Sequence, residues 1–130
     1  IINVAGHRLS TGGMEEVLSG HKDVAECAVI GIADALKGEV PCGFIVLNAG
    51  VARDSGAIER EVVGLVRDRI GPVAAFKTVV TVKRLPKTRS GKLLRRSIQA
   101  LAEGRDPGDL TTIEDPAALE QIRNALSGVA

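Results

Sequence analysis

Residues 25–47 read AECAVIGIADALKGEVPCGFIVL, two apolar runs joined by a polar connection. Both runs, 25–32 and 40–47, are rich in Val and Ile, and the residues between them include Asp, Lys, Gly and Glu. This pattern predicts two β-strands that pair in an antiparallel hairpin. Cys27 and Cys42 lie in these strands without CxxC spacing, so we expect reduced thiols packed in the sheet, not a disulfide or a metal site.

A short helix is expected before this hairpin, over residues 10–19. Ser10 or Thr11 is available as its N-cap, and Glu15 and Glu16 are expected near the positive end of the helix dipole. The other elements follow from hydrophobic periodicity and β-branched content. They are a strand-like start at 1–4, a helix from 57 to about 70, a strand over 78–82 and a helix over 93–102. A last helix is expected to run to about Leu126, with Asp115 as its N-cap and Pro116 at its first helical position.

Strands that alternate with helices, together with the early hairpin, favour an α+β domain with a small mixed or antiparallel sheet and helices packed on it. A doubly wound parallel sheet needs more crossover helices than this sequence offers. The 130 residues are expected to form a single domain. Because residues 1–4 are already strand-like and do not begin with methionine, we expect a piece of a longer polypeptide.

Composition narrows the classes of function. The net charge of +1 argues against a globally basic nucleic-acid binder, and only Phe44 and Phe76 are aromatic, so stacking platforms for bases are missing. No apolar run approaches the ~20 residues of a membrane span, and no signal-peptide pattern opens the chain. We therefore expect a cytoplasmic protein with neither nucleic acid nor membrane as a partner.

The most unusual segment is 77–96, which holds eight basic residues and no acidic one. Within it, residues 85–92 read LPKTRSGK. Pro86 and Gly91 favour a loop, and the hydroxyl residues between them are suited to local bonds with the main chain. Lys92 is thereby expected at the tip of a mobile, acid-free loop just ahead of a helix, where a cation suits negative charge that builds up on phosphoryl oxygens.

Three other interpretations of this segment compete with that one. A phosphate-binding P-loop is excluded, because Pro86 stands where glycine is required and Leu93 stands where Ser or Thr is required. A nucleic-acid patch is open, although no aromatic residue is interleaved with the cations. A solvated basic face is the common outcome for such a run, and composition alone does not decide between it and a catalytic lysine.

A second unusual stretch is 4–10, where a strand passes through Ala5 and Gly6 to Arg8 just before a helix start. Small residues allow a ligand to approach the backbone closely, and an arginine beside a helix N-terminus suits an anion. On local grounds alone, a strand-to-helix turn with Arg8 paired to a surface carboxylate is favoured. His7 by itself is more typical of a capping or packing histidine than of a base.

These stretches and four others carry a family resemblance that covers nearly the whole chain. In chain order the segments are NVAGHRL at 3–9, VAECAVIG at 24–31, KGEVP at 37–41, IGPVA at 70–74, LPKTRSGK at 85–92 and TTIEDP at 111–116. The lysine-containing segment, followed by Arg95 and Arg96, is highly specific. On these segments the chain resembles the C-terminal domain of adenylate-forming enzymes, in particular short-chain acyl-CoA synthetases such as acetyl-CoA and propionyl-CoA synthetase.

Enzymes of this kind join a carboxylic acid to CoA in two steps, through an acyl-adenylate made with ATP, and then release AMP. The resemblance implies that residues 1–130 are the small lid domain, which rotates between two poses on a large N-terminal domain that binds ATP, Mg²⁺ and the acid. The isolated domain is then expected to be inactive. Lys92 matches the lysine that reaches the α-phosphate and the acid during adenylation. The loop residues that support it are Thr88, Arg89, Ser90 and Gly91.

The second pose brings a different set of residues to the active site. Ala5 and Gly6 match residues that line the channel for the CoA pantetheine arm. Arg8 matches an arginine that approaches the nucleotide phosphate, and Arg67 matches one that contacts a CoA phosphate. Ala5 stands where acetyl-CoA synthetases often have serine, which removes any side-chain hydrogen bond to CoA at this position.

The resemblance also implies a possible regulatory modification. The matching lysine is a target of reversible acylation, so a protein lysine acetyltransferase and a deacetylase are expected partners acting on Lys92. Two other interpretations of the chain stay open. One is the lid domain of a ligase for a longer or aromatic acid, and the other is a freestanding anion-binding module.

Overall fold

The computed structural model describes residues 2–4, 6–74, 76–108 and 111–127. The strands in these ranges are β1 (Ile2–Val4), β2 (His7–Leu9), β3 (Val24–Asp34), β4 (Gly38–Leu47) and β5 (Thr78–Thr81). The helices are α1 (Thr11–Ser19), α2 (Ser55–Arg69), α3 (Arg95–Ala102) and α4 (Ala117–Ser127). Four strands pair antiparallel in the order β2-β1-β4-β3, and β5 pairs with β4 in parallel. The predicted α+β class with a mixed sheet is confirmed.

The hairpin of β3 and β4 is the centre of the sheet. Both predicted strands are confirmed, and they continue beyond their predicted ends until Asp34 lies opposite Gly38. The turn is short because Asp34 Oδ1 accepts hydrogen bonds from the N–H groups of Leu36 and Lys37, at 2.8 and 3.0 Å. These two bonds, that from Lys37 foremost, hold the pKa of the Asp34 carboxyl below its usual value.

Both faces of this hairpin are covered by helices. Val29 and Ile45 pack in a core cluster with residues of α1 and α2. Their neighbours Ala28 and Phe44 pack in a second cluster with residues of α3 and α4. Because successive strand residues point to opposite faces and both faces are buried, the two runs are continuously apolar and do not alternate with polar residues.

The two cysteines belong to this packing, as predicted. Both are free thiols, Cys42 buried and Cys27 partly buried. Burial raises the pKa of Cys42 to about 12, and burial together with the negative charge of Glu15 raises the pKa of Cys27 to about 11. Both thiols therefore stay protonated and act as small apolar groups.

The segment after β1 differs from its prediction. The simple strand-to-helix turn expected over 4–10 is wrong, because His7–Leu9 forms a further strand in which Arg8 pairs with Asn3 of β1. Three residues with two polar side chains give no strand signal in a sequence. Pairing with β1, a tertiary contact, creates the strand.

Helix α1 keeps its predicted place, but its acidic residues have another role. Ser10 is the N-cap, and its Oγ accepts a hydrogen bond from the N–H of Gly13 at 3.1 Å. The expected interaction of Glu15 and Glu16 with the positive end of the helix dipole is wrong, since the first turn of α1 holds no acidic residue. The carboxylate of Glu15 instead accepts a hydrogen bond from the N–H of Val29 in β3 at 2.8 Å.

The last two helices begin later than predicted. Helix α3 starts at Arg95 because Leu93 is held in an antiparallel bridge with Lys87. Helix α4 starts just after Pro116, and Asp115 accepts a hydrogen bond from the N–H of the first helical residue at 3.0 Å. None of the helices in the described ranges is long and apolar enough to cross a membrane.

A polar cluster ties α2 to the connection between α1 and β3. The buried ring of His21 accepts the N–H of Asp23 at Nδ1, 3.1 Å away, and Nε2 of the ring donates to Glu61 at 2.7 Å. Arg53 donates to Asp23 at 2.9 Å and to both oxygens of Glu61. The bonds from Arg53, and next that from His21, lower the pKa of Glu61 to about 2.

This lowered pKa makes the stability of the domain depend on pH. The folded-state pKa of Glu61 lies below the ordinary value of 4.5, so its contribution is complete above about pH 4.5 and is lost as the pH falls toward 2. We expect Glu61→Gln to lower the urea midpoint at neutral pH and to match the wild type near pH 2. Glu120→Gln, which removes an exposed carboxylate from α4, is the control that keeps the wild-type pH dependence. An unchanged pH dependence in Glu61→Gln would contradict this role.

Candidate functional site

The segment around Lys92 is a small hairpin, which we call the lysine loop (residues 86–94). Lys87 and Leu93 form an antiparallel bridge across its base. The N–H of Leu94 donates to the carbonyl of Pro86 at 3.0 Å, and the N–H of Thr88 donates to the carbonyl of Lys92 at 2.9 Å. Lys92 therefore lies on the returning arm of a hydrogen-bonded hairpin, close to the tip.

Side chains and backbone geometry at the tip complete this hairpin. The N–H of Lys92 donates to Thr88 Oγ1 at 3.1 Å, and Thr88 Oγ1 also lies 3.0 Å from Ser90 Oγ. This confirms the predicted local bonding of Thr88 to the main chain. Gly91 has φ +90°, a conformation that glycine adopts without strain, and its N–H closes the turn by donating to the carbonyl of Thr88 at 2.9 Å.

A third segment, residues 112–114, pairs with the outgoing arm of the lysine loop. The N–H of Arg89 donates to the carbonyl of Thr112 at 3.0 Å, and the N–H of Glu114 donates to the carbonyl of Lys87 at 2.9 Å. Ile113 between them forms a bridge with the loop and is buried. The lysine loop is thus held by main-chain bonds to a stretch more than 20 residues further along the chain.

Among the eight basic residues of segment 77–96, some bind carboxylates and others do not. Three of them bind carboxylates, in the ion pairs Arg84–Asp115, Lys87–Glu26 and Arg95–Glu15. Lys92, Arg89 and Arg96 are exposed, and within the described part of the chain none of the three has a carboxylate within ion-pair distance. The segment is therefore not a uniform solvated face, because three of its cations bind carboxylates, while Arg89 and Lys92 near the tip of the lysine loop keep free positive charge among the described residues.

Lys92 also borders an open cleft. The cleft has a volume of about 390 Å³ and is lined by residues 92–97, so it runs from the lysine loop along the start of α3. The free N–H groups of a helix start and unpaired cations both attract anions. The chemistry that suits this place is the binding of a phosphate or carboxylate group brought in from outside the domain.

The second unusual stretch, residues 4–10, contains β2, the strand at one end of the order β2-β1-β4-β3. Gly6 is exposed in the turn between β1 and β2 with φ +85°, and a Cβ atom built on it would meet no atom within 4 Å. Arg8 is exposed in β2, and no carboxylate of the described residues pairs with it, so the expected surface ion pair is wrong. Ala5 and the side chain of His7 lie outside the described residues.

Arg67 is exposed on α2, which covers the opposite face of the sheet from α3. It lines a groove of about 390 Å³ between α2 and β5 together with Arg60, Lys77 and one carboxylate, that of Glu59, so cations outnumber anions there. Gly64 adds no side chain to this groove. The fold therefore separates Lys92 from Arg67 and gives the domain two distinct cationic surfaces.

Sequence reasoning missed the groups that fix these cations in place. Glu15 and Arg95 are 80 residues apart, and Glu26 and Lys87 are 61 apart. No local spacing rule pairs residues at such separations. Arg60 and Lys77, which join Arg67 in its groove, were likewise visible only as surface charges, because the approach of α2 to β5 is a tertiary contact.

Comparisons with known proteins agree with this architecture. Residues 13–92 match the family described as AMP-binding enzyme C-terminal domain. The chain is 51% identical over 130 residues to propionate–CoA ligase of Escherichia coli K12, and the alignment covers 97% of this chain and 21% of the ligase. It is 48% identical over 125 residues to acetyl-coenzyme A synthetase of Pyrobaculum aerophilum, which covers 96% of this chain and 18% of that protein.

The solved structures give the same result for the fold. The crystal structure of Brucella canis acyl-CoA synthetase superimposes with a TM-score of 0.72 and 27% identity, over 80% of this chain and 19% of that one. The chain thus spans about a fifth of the length of the relatives it matches. The family match, with Arg67 inside it and Lys92 as its last residue, covers more than half of the 130 residues, so the chain belongs to the AMP-binding enzyme C-terminal domain family.

Proposed function

We propose that this chain is the C-terminal lid domain of an AMP-forming acid–CoA ligase, which makes acetyl-CoA or propionyl-CoA from the acid, ATP and CoA through an acyl-adenylate. The observation that carries the proposal is the state of Lys92. It is an exposed cation without a carboxylate partner among the described residues, close to Lys87 and Arg95, which are both bound to carboxylates. Relatives named as propionate and acetate ligases, 51% and 48% identical to this chain, support the same activity.

In the first half-reaction Lys92 supplies positive charge to the reacting groups. A carboxylate that attacks the α-phosphate of ATP approaches an anion, and negative charge builds up on the phosphoryl oxygens as the bond forms. A lysine ammonium placed between the two reduces their repulsion and stabilises that charge. Lys92 suits this role because it has no competing carboxylate partner among the described residues.

In the second half-reaction a different surface faces the active site. Ala5 and Gly6 would line the passage for the pantetheine arm of CoA, with Arg8 at the nucleotide phosphate. Arg67 would bind a phosphate of CoA, and its exposed place in a cationic groove supports this role. Since α2 and α3 cover opposite faces of the sheet, a rotation of the domain is the motion that exchanges Arg67 for Lys92.

The other partners follow from the same proposal. The larger domain of the same polypeptide binds ATP and the acid, and the Mg²⁺ that accompanies ATP is bound there. Among the described residues of this chain, no group of three or more His, Cys, Asp and Glu side chains is placed to hold a metal ion.

A cytoplasmic location is part of the proposal. A lid for a longer or aromatic acid and a freestanding anion-binding module are less well supported, since the named ligases among its relatives act on short acids.

Replacement of Lys92 in the full-length enzyme tests the first half-reaction. We expect Lys92→Ala to lower ATP–pyrophosphate exchange by about 100-fold or more, because one electrostatic donor to the transition state is lost. Thioester formation from supplied acyl-adenylate is expected to be unchanged. Exchange is measured with acetate and with propionate, and the better acid names the substrate. The control is Lys83→Ala, an exposed lysine of the same basic segment. If Lys92→Ala exchanged ATP and pyrophosphate at the wild-type rate, Lys92 would be a solvated surface charge with no role in adenylation.

Replacement of Gly6 tests the second half-reaction. Any side chain at Gly6 strains a backbone with φ +85°, so Gly6→Ala is the matched control for strain and Gly6→Leu adds bulk. Because a Cβ added at Gly6 meets no atom beyond its chain neighbours within 4 Å, we expect added bulk to act on what approaches from outside. We expect Gly6→Leu to lose thioester formation at least about tenfold more than Gly6→Ala, while both keep adenylation. Equal thioester rates in the two variants would contradict a CoA passage at Gly6.

Acylation of Lys92 is a further part of the proposal, because it removes the charge that adenylation needs. We expect incubation with a protein lysine acetyltransferase and acetyl-CoA to modify Lys92 and to lower ATP–pyrophosphate exchange in proportion. Lys87 is the internal control, since its ammonium is bound to Glu26. Peptide mass spectrometry measures both sites. Modification absent at Lys92, or equal at the two lysines, would count against a specific switch.

A further inference from the structure

The lysine loop is tied to the rest of the domain near both of its ends, to α1 and to β3. Just after the returning arm, Arg95 donates through Nη1 and Nη2 to both carboxylate oxygens of Glu15 in α1. On the outgoing arm, Lys87 donates to Glu26 in β3. Lys92 lies between these two anchors and is itself unattached through its side chain among the described residues.

Glu15 is itself firmly held. Its side chain is 15% exposed, and Oε2 accepts the N–H of Val29 in β3 at 2.8 Å. The carboxylate is therefore fixed by the sheet before it binds Arg95, and a bidentate pair with a guanidinium fixes direction as well as distance. Arg95 is 47% exposed at the start of α3, so its side chain belongs to the surface and not to the core.

We propose that Arg95 and Glu15 are positioning residues for Lys92, an inference that rests on the proposed function of Lys92 in adenylation. Arg95 is three positions after Lys92, and three extended residue steps span at most about 11 Å, so fixing one limits the place of the other. A lysine side chain has four rotatable bonds and reaches its target accurately only if its Cα is well placed. The pair raises the fraction of domains in which the ammonium meets the phosphate, and it makes no contact with substrate.

The ion pair is well suited to this role and poorly suited to general stabilisation. Water screens the Arg95 guanidinium, which is 47% exposed, so the pair adds less to the free energy of unfolding than a fully buried pair would. Its effect is local, on the junction between the lysine loop and α3. A loss of the pair should therefore lower the rate of adenylation without weakening substrate binding, since misplacement of a reacting group by a fraction of a bond length is costly.

The test uses the full-length enzyme with Arg95→Gln and, separately, Glu15→Gln, which keeps an oxygen for the N–H of Val29. We expect each variant to lower the kcat of the adenylation half-reaction about tenfold, with KM for ATP and for the acid unchanged. Thioester formation from supplied acyl-adenylate and the thermal midpoint are expected to stay at wild-type values. Arg105→Gln is the matched control, because it removes an arginine–carboxylate pair just beyond the other end of α3.

A double variant separates positioning from independent effects. If both residues act through their ion pair, Arg95→Gln combined with Glu15→Gln loses no more than either single change, and Arg95→Lys restores part of the rate. A raised KM for ATP, additive losses, equal loss of both half-reactions, or wild-type kcat would each overturn the proposal. Lys92→Ala is measured in parallel. If Lys92→Ala keeps adenylation, the proposed function fails; if it loses adenylation while Arg95→Gln does not, only this inference fails.

Discussion

The pairing of β3 with β4 is the constraint on which the rest of the domain depends. One edge of β4 pairs with β3 along its length, and the other edge pairs with β1 and β5. Because neighbouring residues point to opposite faces, this hairpin creates two cores, one under α1 and α2 and one under α3 and α4. A loop attached to α3 and a side chain on α2 must then lie on different sides of one sheet. The separation of Lys92 from Arg67 follows from the hairpin.

The fold also determines which cations of the basic segment 77–96 are paired with carboxylates. Arginine and lysine occur along segment 77–96 without any acidic residue, so the sequence alone presents them as equivalent. The fold makes them unequal by bringing carboxylates from α1, β3 and the start of α4 to some of them. A bound cation is neutralised and becomes an anchor. A cation without such a partner keeps its charge for a ligand, and Lys92 belongs to this second group within the described residues.

The sequence was most informative where structure is local or strongly apolar. The hairpin, the burial of Cys42, the N-cap at Ser10 and the local bond of Thr88 are set by neighbouring residues and by the length of the apolar runs. The sequence did not predict features that depend on pairing between segments. Strand β2 has no strand signal of its own and forms because β1 lies beside it. Position of Lys92 in a loop was predictable from Pro86 and Gly91. Its anchoring was not, because residues 112–114 approach it only in the folded chain.

Glycine has two different meanings in this domain, and the difference bears on function. At Gly31 and Gly43 an added Cβ would lie 2.5 Å from Ile2 and 2.9 Å from Phe76, so the domain's own packing excludes a side chain there. At Gly6 and Gly91 the backbone has a positive φ, yet an added Cβ would meet no atom within 4 Å. Glycine at these two turns shapes the backbone and leaves the surface bare. An added Cβ at Gly6 has free space beyond its chain neighbours, and such open space is the property that a passage for a ligand requires.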